Sequence, residues 1–540
     1  MNTLRIGALD VAMVAGYFLL TIALGVWFGR RKIRSADSLF LADREATWPV
    51  IGASLFSANI SSQQFVGQAG LAYTIGLAVG GFQLVGALCF ALLAMFFVDV
   101  YLALNLRTAP EFFERRYGPG ARMFVSAINI VMILGANIAT ALYAGATVLT
   151  DLVGWASPGT FGLAVGAIAA AAGTYTIFGG LRSVLWTDLL QSSLLVVGGA
   201  VTFFVSLSAA GGWGEVLTTH DQAGRSLWSV VQPWHHPFGW LPLMTGAMIL
   251  GVHGHCTDHD YVQRALAARS LFHSKMGALF AAFLKVSALF IIAAPGVIAA
   301  RLLPGLAHPD QAYASLVTHY VPPGLAGLVL AGLLAAILGT VAAGLSASAS
   351  MVCYDFVLKF FPSLNEPARV KLGRWTMIAV LTGCAVLAPQ IRAFRGVFAY
   401  LVQFWSLLAP PVFVCVVAGV FTRRASRRGA TATLVTGTAL GAIAFWVLSS
   451  PSKVEVLPVY FRSALNCGFV ITAICAVIMM LFSSDNALRS LPGMARAKPA
   501  PSLLSMSARE RRIFRVTLVS LGIVWLAVVF AFSPWGVARS

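Results

Sequence analysis

Residues 47–70 read TWPVIGASLFSANISSQQFVGQAG, an apolar stretch that carries a polar, small-residue run from Ser54 to Gln64 in its middle. The stretch has the length of a helix that crosses a lipid bilayer, which needs about 20 residues. Lipid offers no hydrogen-bond partner to a freed backbone group, so a polar interruption is tolerated only where it lines a protein cavity. We therefore predict a broken transmembrane helix beside a cavity.

A second interrupted stretch, GVHGHCTDHD, occupies residues 251–260. It lies in the seventh of fourteen apolar stretches, five stretches after the first interruption. Because five is an odd number of membrane crossings, the two halves of the chain insert in opposite orientations. Interrupted helices in matching positions of two halves are typical of a transporter's binding site. We predict an all-α polytopic membrane protein of about 14 transmembrane helices with a five-plus-five inverted-repeat core. The predicted spans are 8–28, 47–70, 76–105, 123–154, 160–178, 183–208, 240–262, 272–303, 323–353, 375–390, 397–421, 430–449, 462–482 and 513–533.

We predict that residues 1–540 form a single membrane transporter domain, because no polar segment is long enough to fold as a separate soluble module. The chain is 59% hydrophobic and 10% charged, whereas a soluble protein usually carries about 25% charged residues. The predicted parts of the domain are a peripheral helix at 1–30, a first inverted repeat at 46–208, a second at 238–425 and peripheral helices at 430–540.

The formal net charge of +18 is explained by membrane topology. Of the 37 Lys and Arg residues, 28 fall in alternate loops that would share one side of the membrane, and 8 fall on the other. Cytoplasmic loops carry the excess of Lys and Arg, so we predict a multi-pass protein of the cell (inner) membrane with both termini on the outer side. The charge therefore requires no nucleic-acid partner. Membrane lipids are the expected surroundings, and nothing in the sequence indicates a required protein partner.

Lys285 is a cation inside the apolar span 272–303. It lies ten residues from Lys275 and sixteen from Arg301, or about 15 and 24 Å at helical rise. A lysine side chain cannot reach either membrane surface over such distances. Lys285 is therefore either a functional residue facing a cavity or one half of a buried structural pair.

Polar side chains in the neighbouring spans are further candidates. Asn59, Gln64 and Gln83 carry amides, which both donate and accept hydrogen bonds and so suit a hydroxylated solute; amides between helices also serve as packing contacts. Asp188, inside its span, could attract a cation leaving inward, or it could pair with Arg182 or cap the turn at 179–180.

Two further segments allow a functional or a structural interpretation. The cluster from His253 to Asp260 could hold zinc, since His255 and His259 are four residues apart, or it could line a hydrated vestibule, which we favour. The small-residue run 335–350 permits close helix approach and could also surround a small cation with carbonyls and hydroxyls. The sequence lacks the common hydrolase, zinc-protease and nucleotide-binding motifs, so we predict that the protein is not an enzyme.

These residues together resemble the solute:sodium symporter family, and within it the sodium/glucose cotransporter branch. The resemblance runs from about residue 46 to 425 and rests on motifs that occur in the family's order. They are WPVIGASLFSANI (48–60), QFVGQAG (64–70), APEFFERRYG (109–118), YTIFGGL (175–181), WTDLLQ (186–191), CTD (256–258), VQR (262–264), FLKV (283–286), PG (295–296) and LAPP (408–411).

The resemblance implies a five-helix inverted-repeat fold and alternating access driven by sodium, with sodium as the coupling ion and no other cofactor. It places the family's solute contacts on Asn59, Gln64, Gln83, Lys285 and, within one residue, Gln403. It places the sodium site on the carbonyls of Ser57, Ile60 and Ala336 and on the hydroxyl positions of Gly339 and Thr340, and an acid of the inner ion path on Asp188.

Two positions depart from the family's pattern. Gln83 stands where sugar cotransporters carry a glutamate, which changes the donor pattern offered to a solute. Gly339 stands where a serine hydroxyl is expected, which should weaken sodium binding unless water or the Ser57 hydroxyl replaces the missing oxygen.

We predict a sodium-coupled symporter that imports a small polar organic solute, a sugar or polyol being favoured. Three alternatives stay open at this point. The solute could be a small carboxylate paired with Lys285, the carrier could be proton-coupled or uncoupled because of Gly339, and the fold could serve as a solute sensor.

Overall fold

The computed structural model describes residues 7–29, 33–60, 64–153, 158–221, 224–234, 236, 238–306, 308–393, 397–483 and 505–538. Within these ranges the chain is mainly helical and forms no β-strand, only two isolated bridges. The all-α prediction is therefore confirmed. Residues 61–63 of the first polar run and most of the polar segment 484–512 lie outside the described residues.

Eleven helices in the described residues are long and apolar enough to cross a membrane. The prediction counted fourteen spans because it includes two interrupted stretches and divides one long helix in two. The eleven are Ala8–Gly25, Leu77–Ala103, Pro119–Thr150, Gly159–Ala209, Leu271–Leu302, Leu325–Phe360, Glu366–Ile391, Tyr400–Phe421, Arg427–Leu448, Ala464–Leu481 and Ala508–Ala531. Shorter helices connect them at Ala36–Leu41, Ala109–Tyr117, Trp213–Val216, Ala312–Tyr320 and Pro451–Val456.

The long helical run Pro158–Ala209 is interrupted at Gly180, whose φ is 61°. A Cβ at this position would lie 2.8 Å from the Leu39 carbonyl oxygen. Glycine is the residue that takes this backbone conformation and this close approach without strain. The break separates the predicted spans 160–178 and 183–208.

The first broken helix comprises Trp48–Asn59, a π-turn at Gln64–Gln68 and Ala69–Ile75. Ile60 is extended, which ends the first half of the helix. The last carbonyls of a helix lack partners within it, and here the Gln64 side-chain amide donates to the Asn59 carbonyl at 2.6 Å. The polar run therefore supplies its own cap for the break.

The second broken helix comprises Trp240–Pro242, Leu243–Ala247 and Met248–Thr257, followed by His259–Leu266. Asp258, at φ −69° and ψ 133°, is the extended residue between the halves. Two side-chain hydrogen bonds link the described parts of the two broken helices. Asn59 Nδ2 donates to the Tyr261 hydroxyl at 3.0 Å, and Arg264 Nε donates to Ser54 Oγ at 2.7 Å.

The helix Leu325–Met351 passes through the centre of the bundle. Its small-residue run from Ala335 to Ser350 is buried throughout. A Cβ on Gly332 would lie 3.2 Å from the Leu194 carbonyl oxygen, so the two backbones nearly touch. By contrast, the helix Ala508–Ala531 is mostly exposed, as expected of a peripheral helix whose surface faces lipid.

Candidate functional site

A cavity of about 160 Å³ lies between the two broken helices. A protein cavity of about 150 Å³ can bind benzene, so this cavity is large enough for a small organic molecule. Its walls combine apolar and aromatic side chains with a few polar ones. They are Ala58, Asn59, Gln64, Gln68, Phe82, Val85, Gly86, Asn137, Ala247, Leu250, Gly251, Gly254, His255, Tyr261, Lys285, Thr340, Leu401, Val402 and Trp405.

Three amide side chains form one hydrogen-bonded group at the wall of this cavity. Gln83 Nε2 donates to Gln64 Oε1 at 3.0 Å and to Gln68 Oε1 at 2.7 Å. Gln83 is fully buried and lies behind the other two, which line the cavity. Asn59 lines the cavity beside them, and its Oδ1 atom has no partner within the described chain.

Lys285 joins this group from the helix Leu271–Ala288. Its Nζ donates to Gln83 Oε1 at 2.6 Å, and the side chain is 3% exposed. The structure therefore brings together four of the five predicted solute contacts, three on the cavity wall and Gln83 directly behind it.

Gln403, the fifth predicted solute contact, lies outside the cavity. Its amide donates to the Phe445 carbonyl at 3.3 Å and to Ser449 Oγ at 3.1 Å, both on the neighbouring helix Arg427–Leu448 and its cap. On the helix that carries Gln403, Tyr400–Phe421, the residues that face the cavity are Leu401, Val402 and Trp405. A helix turns by about 100° per residue. An error of one or two residues in the alignment with the family therefore moves the expected contact from the cavity face of this helix to another face.

Several cavity residues were not predicted. Gln68 follows Gln64 by four residues and so shares its helix face, a spacing that could have indicated it. His255 was assigned to a vestibule cluster, whereas Tyr261, Asn137 and Trp405 carried no separate signal in the sequence.

The helix break separates the side chains of the histidine cluster. His255 faces the cavity, whereas His259 Nε2 lies 2.5 Å from Ser350 Oγ and its Nδ1 accepts from the Ala109 amide at 3.2 Å. Because Asp258 interrupts the helix, the four-residue spacing does not place the two imidazoles together. Within the described residues no group of three His, Cys, Asp or Glu side chains could hold a metal ion.

The five predicted ion-site residues lie where the first broken helix packs against Leu325–Met351. Thr340 Oγ1 donates to the Ala336 carbonyl at 3.0 Å, and Ile60 and Ala336 belong to one buried cluster. Thr340 also lines the cavity, so the two predicted sites adjoin. Ser57 approaches Gly339 from the opposite helix.

The absence of a side chain at Gly339 lets three oxygen atoms approach its backbone closely. A Cβ at this position would lie 2.5 Å from Ser57 Oγ, 2.9 Å from Gln191 Oε1 and 3.4 Å from Asp188 Oδ1. The Asp188 Oδ1 atom is buried without a hydrogen-bond partner in the described chain. A hydroxyl, an amide oxygen and a carboxylate are oxygen ligands of the kind that hard cations take.

The other oxygen of Asp188 is paired with a buried arginine. Arg264 Nη2 lies 3.3 Å from Asp188 Oδ2, and Ser54 Oγ donates to the same oxygen. Both charged side chains are completely buried. Arg264 therefore ties the second broken helix to the first broken helix and to the helix that carries Asp188, rather than Arg182 serving as the partner of Asp188.

A second buried network joins the end of the helix Leu325–Phe360 to the start of the helix Pro119–Thr150. Asp355 accepts from Arg122 Nε at 2.8 Å, from Thr108 Oγ1 at 2.7 Å and from Ser126 Oγ at 2.7 Å. Glu114, between the spans, pairs with Arg122 and Lys359. Partial burial acts to raise the pKa of Glu114, but the hydrogen bonds from these two cations outweigh it and hold that pKa below its ordinary value.

A family profile and individual proteins of known function both relate this chain to sodium-coupled symporters. The profile of the sodium:solute symporter family matches residues 39–437. The sequence is 28% identical to sodium/glucose cotransporter 4 of Danio rerio, over 88% of this chain and 78% of that protein. It is 32% identical to a sodium/mannose cotransporter of Bos taurus, over 81% of this chain and 79% of that protein.

A solved structure shares the fold. A sodium-coupled sialic acid symporter in a substrate-bound outward-open state superimposes with a TM-score of 0.74 at 21% identity. The superposition covers 88% of this chain and 99% of that one. At this level of identity the likeness concerns the fold alone.

Proposed function

This chain belongs to the sodium:solute symporter family, and from that premise we propose that it imports a sugar or polyol together with sodium by alternating access. The observation that carries the proposal is the cavity between the two broken helices. Amide groups and one buried lysine meet at its wall, where a solute with several hydroxyl groups finds both donors and acceptors.

The proposed solute contacts are Asn59, Gln64 and Lys285, with Gln83 holding the last two in place. Asn59 Oδ1 is an acceptor without a partner in the described chain, so a solute hydroxyl would satisfy it. An unsatisfied buried polar atom costs free energy that a bound hydroxyl recovers. Gln403 is left out of the proposed site because its amide is engaged elsewhere.

The proposed sodium site lies between Ser57, Ile60, Ala336 and Thr340 at the position of Gly339. The Ser57 hydroxyl, the Gln191 amide oxygen and the Asp188 carboxylate face the space that a serine side chain would otherwise fill. These atoms supply the oxygen that Gly339 lacks. Sodium bound here would contact both the broken helix and the central helix, and so would favour the conformation in which the two are together.

Alternating access requires a barrier that can open, and the two buried ion-pair networks suit this role. They lie toward the loops that carry most of the Lys and Arg residues, the side that we propose is cytoplasmic. Repeats at 46–208 and 238–425 would rock against each other, separate Arg264 from Asp188, and release sodium inward. Both termini would then lie outside.

The experiment that tests the proposal is uptake of labelled sugars and polyols by proteoliposomes that contain the purified protein. We expect an inward sodium gradient to raise the initial rate of uptake about tenfold or more over an equal potassium gradient, since coupling free energies of 1–3 kcal/mol correspond to factors of 5–150. The same solute should bind the protein more tightly in sodium than in potassium.

Collapse of the proton gradient with a protonophore serves as the control for the proton-coupled alternative. Uptake that persists without sodium and disappears with the protonophore would contradict sodium coupling. Uptake that follows only the solute gradient would indicate an uncoupled carrier.

Gly339→Ser restores the hydroxyl expected from the family, yet we expect it to weaken sodium binding. The new Cβ would lie 2.5 Å from Ser57 Oγ and 2.9 Å from Gln191 Oε1, so the site would be overfilled. Overpacking costs about 1–3 kcal/mol, and 1.4 kcal/mol raises the sodium concentration for half-maximal uptake about tenfold. The matched variant Gly339→Ser/Ser57→Ala removes the closer of these two contacts and should recover part of the sodium affinity. Tighter sodium binding by the single variant would contradict this account of the site.

A further inference from the structure

The charge of Lys285 has no carboxylate partner at the cavity. Its single hydrogen bond in the described structure goes to the Gln83 amide oxygen, at 2.6 Å. Among the described residues that line the cavity there is no Asp or Glu. An amide oxygen accepts a hydrogen bond but does not neutralise an ammonium group, so no negative charge among these residues would balance a protonated Lys285.

His255 places a second polar atom at the same end of the cavity. Its Nδ1 lies 2.7 Å from the Gly251 carbonyl oxygen, and because a carbonyl only accepts, Nδ1 carries the proton. In the neutral imidazole Nε2 is therefore an acceptor. This atom is buried, has no partner within the described chain, and belongs to a side chain that lines the cavity. The imidazole is held in place by stacking on Tyr261 and by an edge contact with Phe90.

Gly86 keeps open the space that these two groups share. A Cβ on Gly86 would lie 3.2 Å from Lys285 Cε and 3.4 Å from His255 Nε2. A side chain there would contact the Lys285 methylene that carries the ammonium group and the imidazole nitrogen, so both residues border the same space. The described residues thus form a subsite with one fixed cation, one fixed acceptor and no anion.

We infer that, among sugar-like and polyol-like solutes, this site prefers those that carry a carboxylate, such as sugar acids, over their neutral counterparts. The inference rests on the transport site proposed above and specifies its substrate class. The solute carboxylate binds the Lys285 ammonium group, and a neighbouring hydroxyl donates to His255 Nε2. The remaining hydroxyls contact Asn59 and Gln64.

The physical reason is the difference between the two solute classes at Lys285. A carboxylate forms a charge-assisted hydrogen bond with the ammonium group and neutralises it, whereas a hydroxyl leaves the charge unpaired. The acceptor on His255 favours an acid that carries hydroxyl groups over one that does not. Short acids without hydroxyl groups, such as acetate, would leave His255 and Asn59 unsatisfied.

The test compares size-matched pairs of compounds for binding to the purified full-length protein in sodium, by calorimetry or thermal shift. The pairs are D-glucuronate with D-glucose, and D-gluconate with D-glucitol; acetate tests the need for hydroxyl groups. We expect each sugar acid to bind about ten- to hundredfold more tightly than its neutral counterpart, the range expected for a hydrogen bond to a charged group. Acetate should bind more weakly than either acid.

Two variants isolate the charge of Lys285. Lys285→Gln should remove the preference for the acid. Gln83→Glu should do the same while keeping Lys285, because the new carboxylate would neutralise the ammonium group at the position of the present hydrogen bond. The control is Lys275→Gln, on the same helix, whose ammonium pairs with Asp99 away from the cavity and whose loss should not alter the preference.

Failure of this inference differs from failure of the proposed function. Tighter binding of the neutral sugars, together with their sodium-driven uptake, would overturn the inference and leave the proposed function intact. Equal acid preference in Gln83→Glu and in the unmodified protein would also overturn it. Absence of sodium-driven uptake for both classes would overturn the proposed function, and absence of binding by both classes would overturn the inference as well.

Discussion

Replacing Asp188 with Asn should abolish sodium-driven uptake and lower the free energy of unfolding by about 3–5 kcal/mol, the cost of removing one partner of a buried ion pair. Arg264 would remain completely buried with its guanidinium group 3.3 Å from a neutral amide. The carboxylate oxygen that faces Gly339 would also lose its charge. Thermal unfolding in detergent measures the loss of stability, and uptake by proteoliposomes in a sodium gradient measures the loss of transport.

The double variant Asp188→Asn/Arg264→Gln separates these two roles. It removes both charges of the pair, so most of the lost stability should return. Sodium-driven uptake should stay low, because Asp188 Oδ1 is proposed to contact the ion independently of Arg264. Full recovery of uptake in the double variant would mean that Asp188 serves only as the partner of Arg264.

Replacing Asp355 with Ala should destabilise the protein by a similar amount, about 3–5 kcal/mol. Asp355 is fully buried and accepts hydrogen bonds from Arg122, Thr108 and Ser126, all of which would lose this acceptor. Because these bonds hold the proposed cytoplasmic barrier closed, we also expect the inward-open conformation to become more populated. The measurements are thermal unfolding and the reactivity of a cysteine introduced at Gly254, on the cavity wall, toward a membrane-impermeant thiol reagent supplied from the cytoplasmic side.

Glu215→Ala provides the matched control for Asp355→Ala. Glu215 pairs with Arg301, but the two side chains are 59% and 32% exposed. Exposed ion pairs contribute about 0–1 kcal/mol, so this variant should unfold almost as the unmodified protein does. Equal effects of the two variants would contradict the assignment of Asp355 to a buried barrier.

The sequence alone indicated most of the proposed solute site. Asn59, Gln64, Gln83 and Lys285 are polar residues within stretches that are otherwise apolar, and in lipid such residues must turn toward the protein interior. The resemblance to a family placed the same residues in the solute site, and the structure brings the four together. Gln403 does not line this cavity, and the mainly apolar residues around it offer no pattern that marks the cavity-facing side.

The sequence also indicated that the proposed sodium site lacks a hydroxyl at Gly339, but not which oxygen atoms take its place. Ser57, Gln191 and Asp188 come from two other helices and converge on Gly339. Likewise, the pairing of Asp188 with Arg264 joins residues 76 positions apart, while the sequence suggested the nearer Arg182. Local spacing reports which residues share a helix face, and it carries no information about which faces of different helices meet.

Membrane class, approximate span positions and the two helix breaks follow from composition and length, because lipid cannot satisfy an unpaired backbone group and so imposes a strict hydropathy pattern on the chain. Which polar groups meet, and which charges remain uncompensated, depends on the packing of helices distant in the sequence. That packing places Gln83 rather than a carboxylate against Lys285, and it leaves His255 Nε2 facing the same cavity. The inferred solute preference arises at that level, since it depends on which charged groups line one cavity rather than on any local pattern.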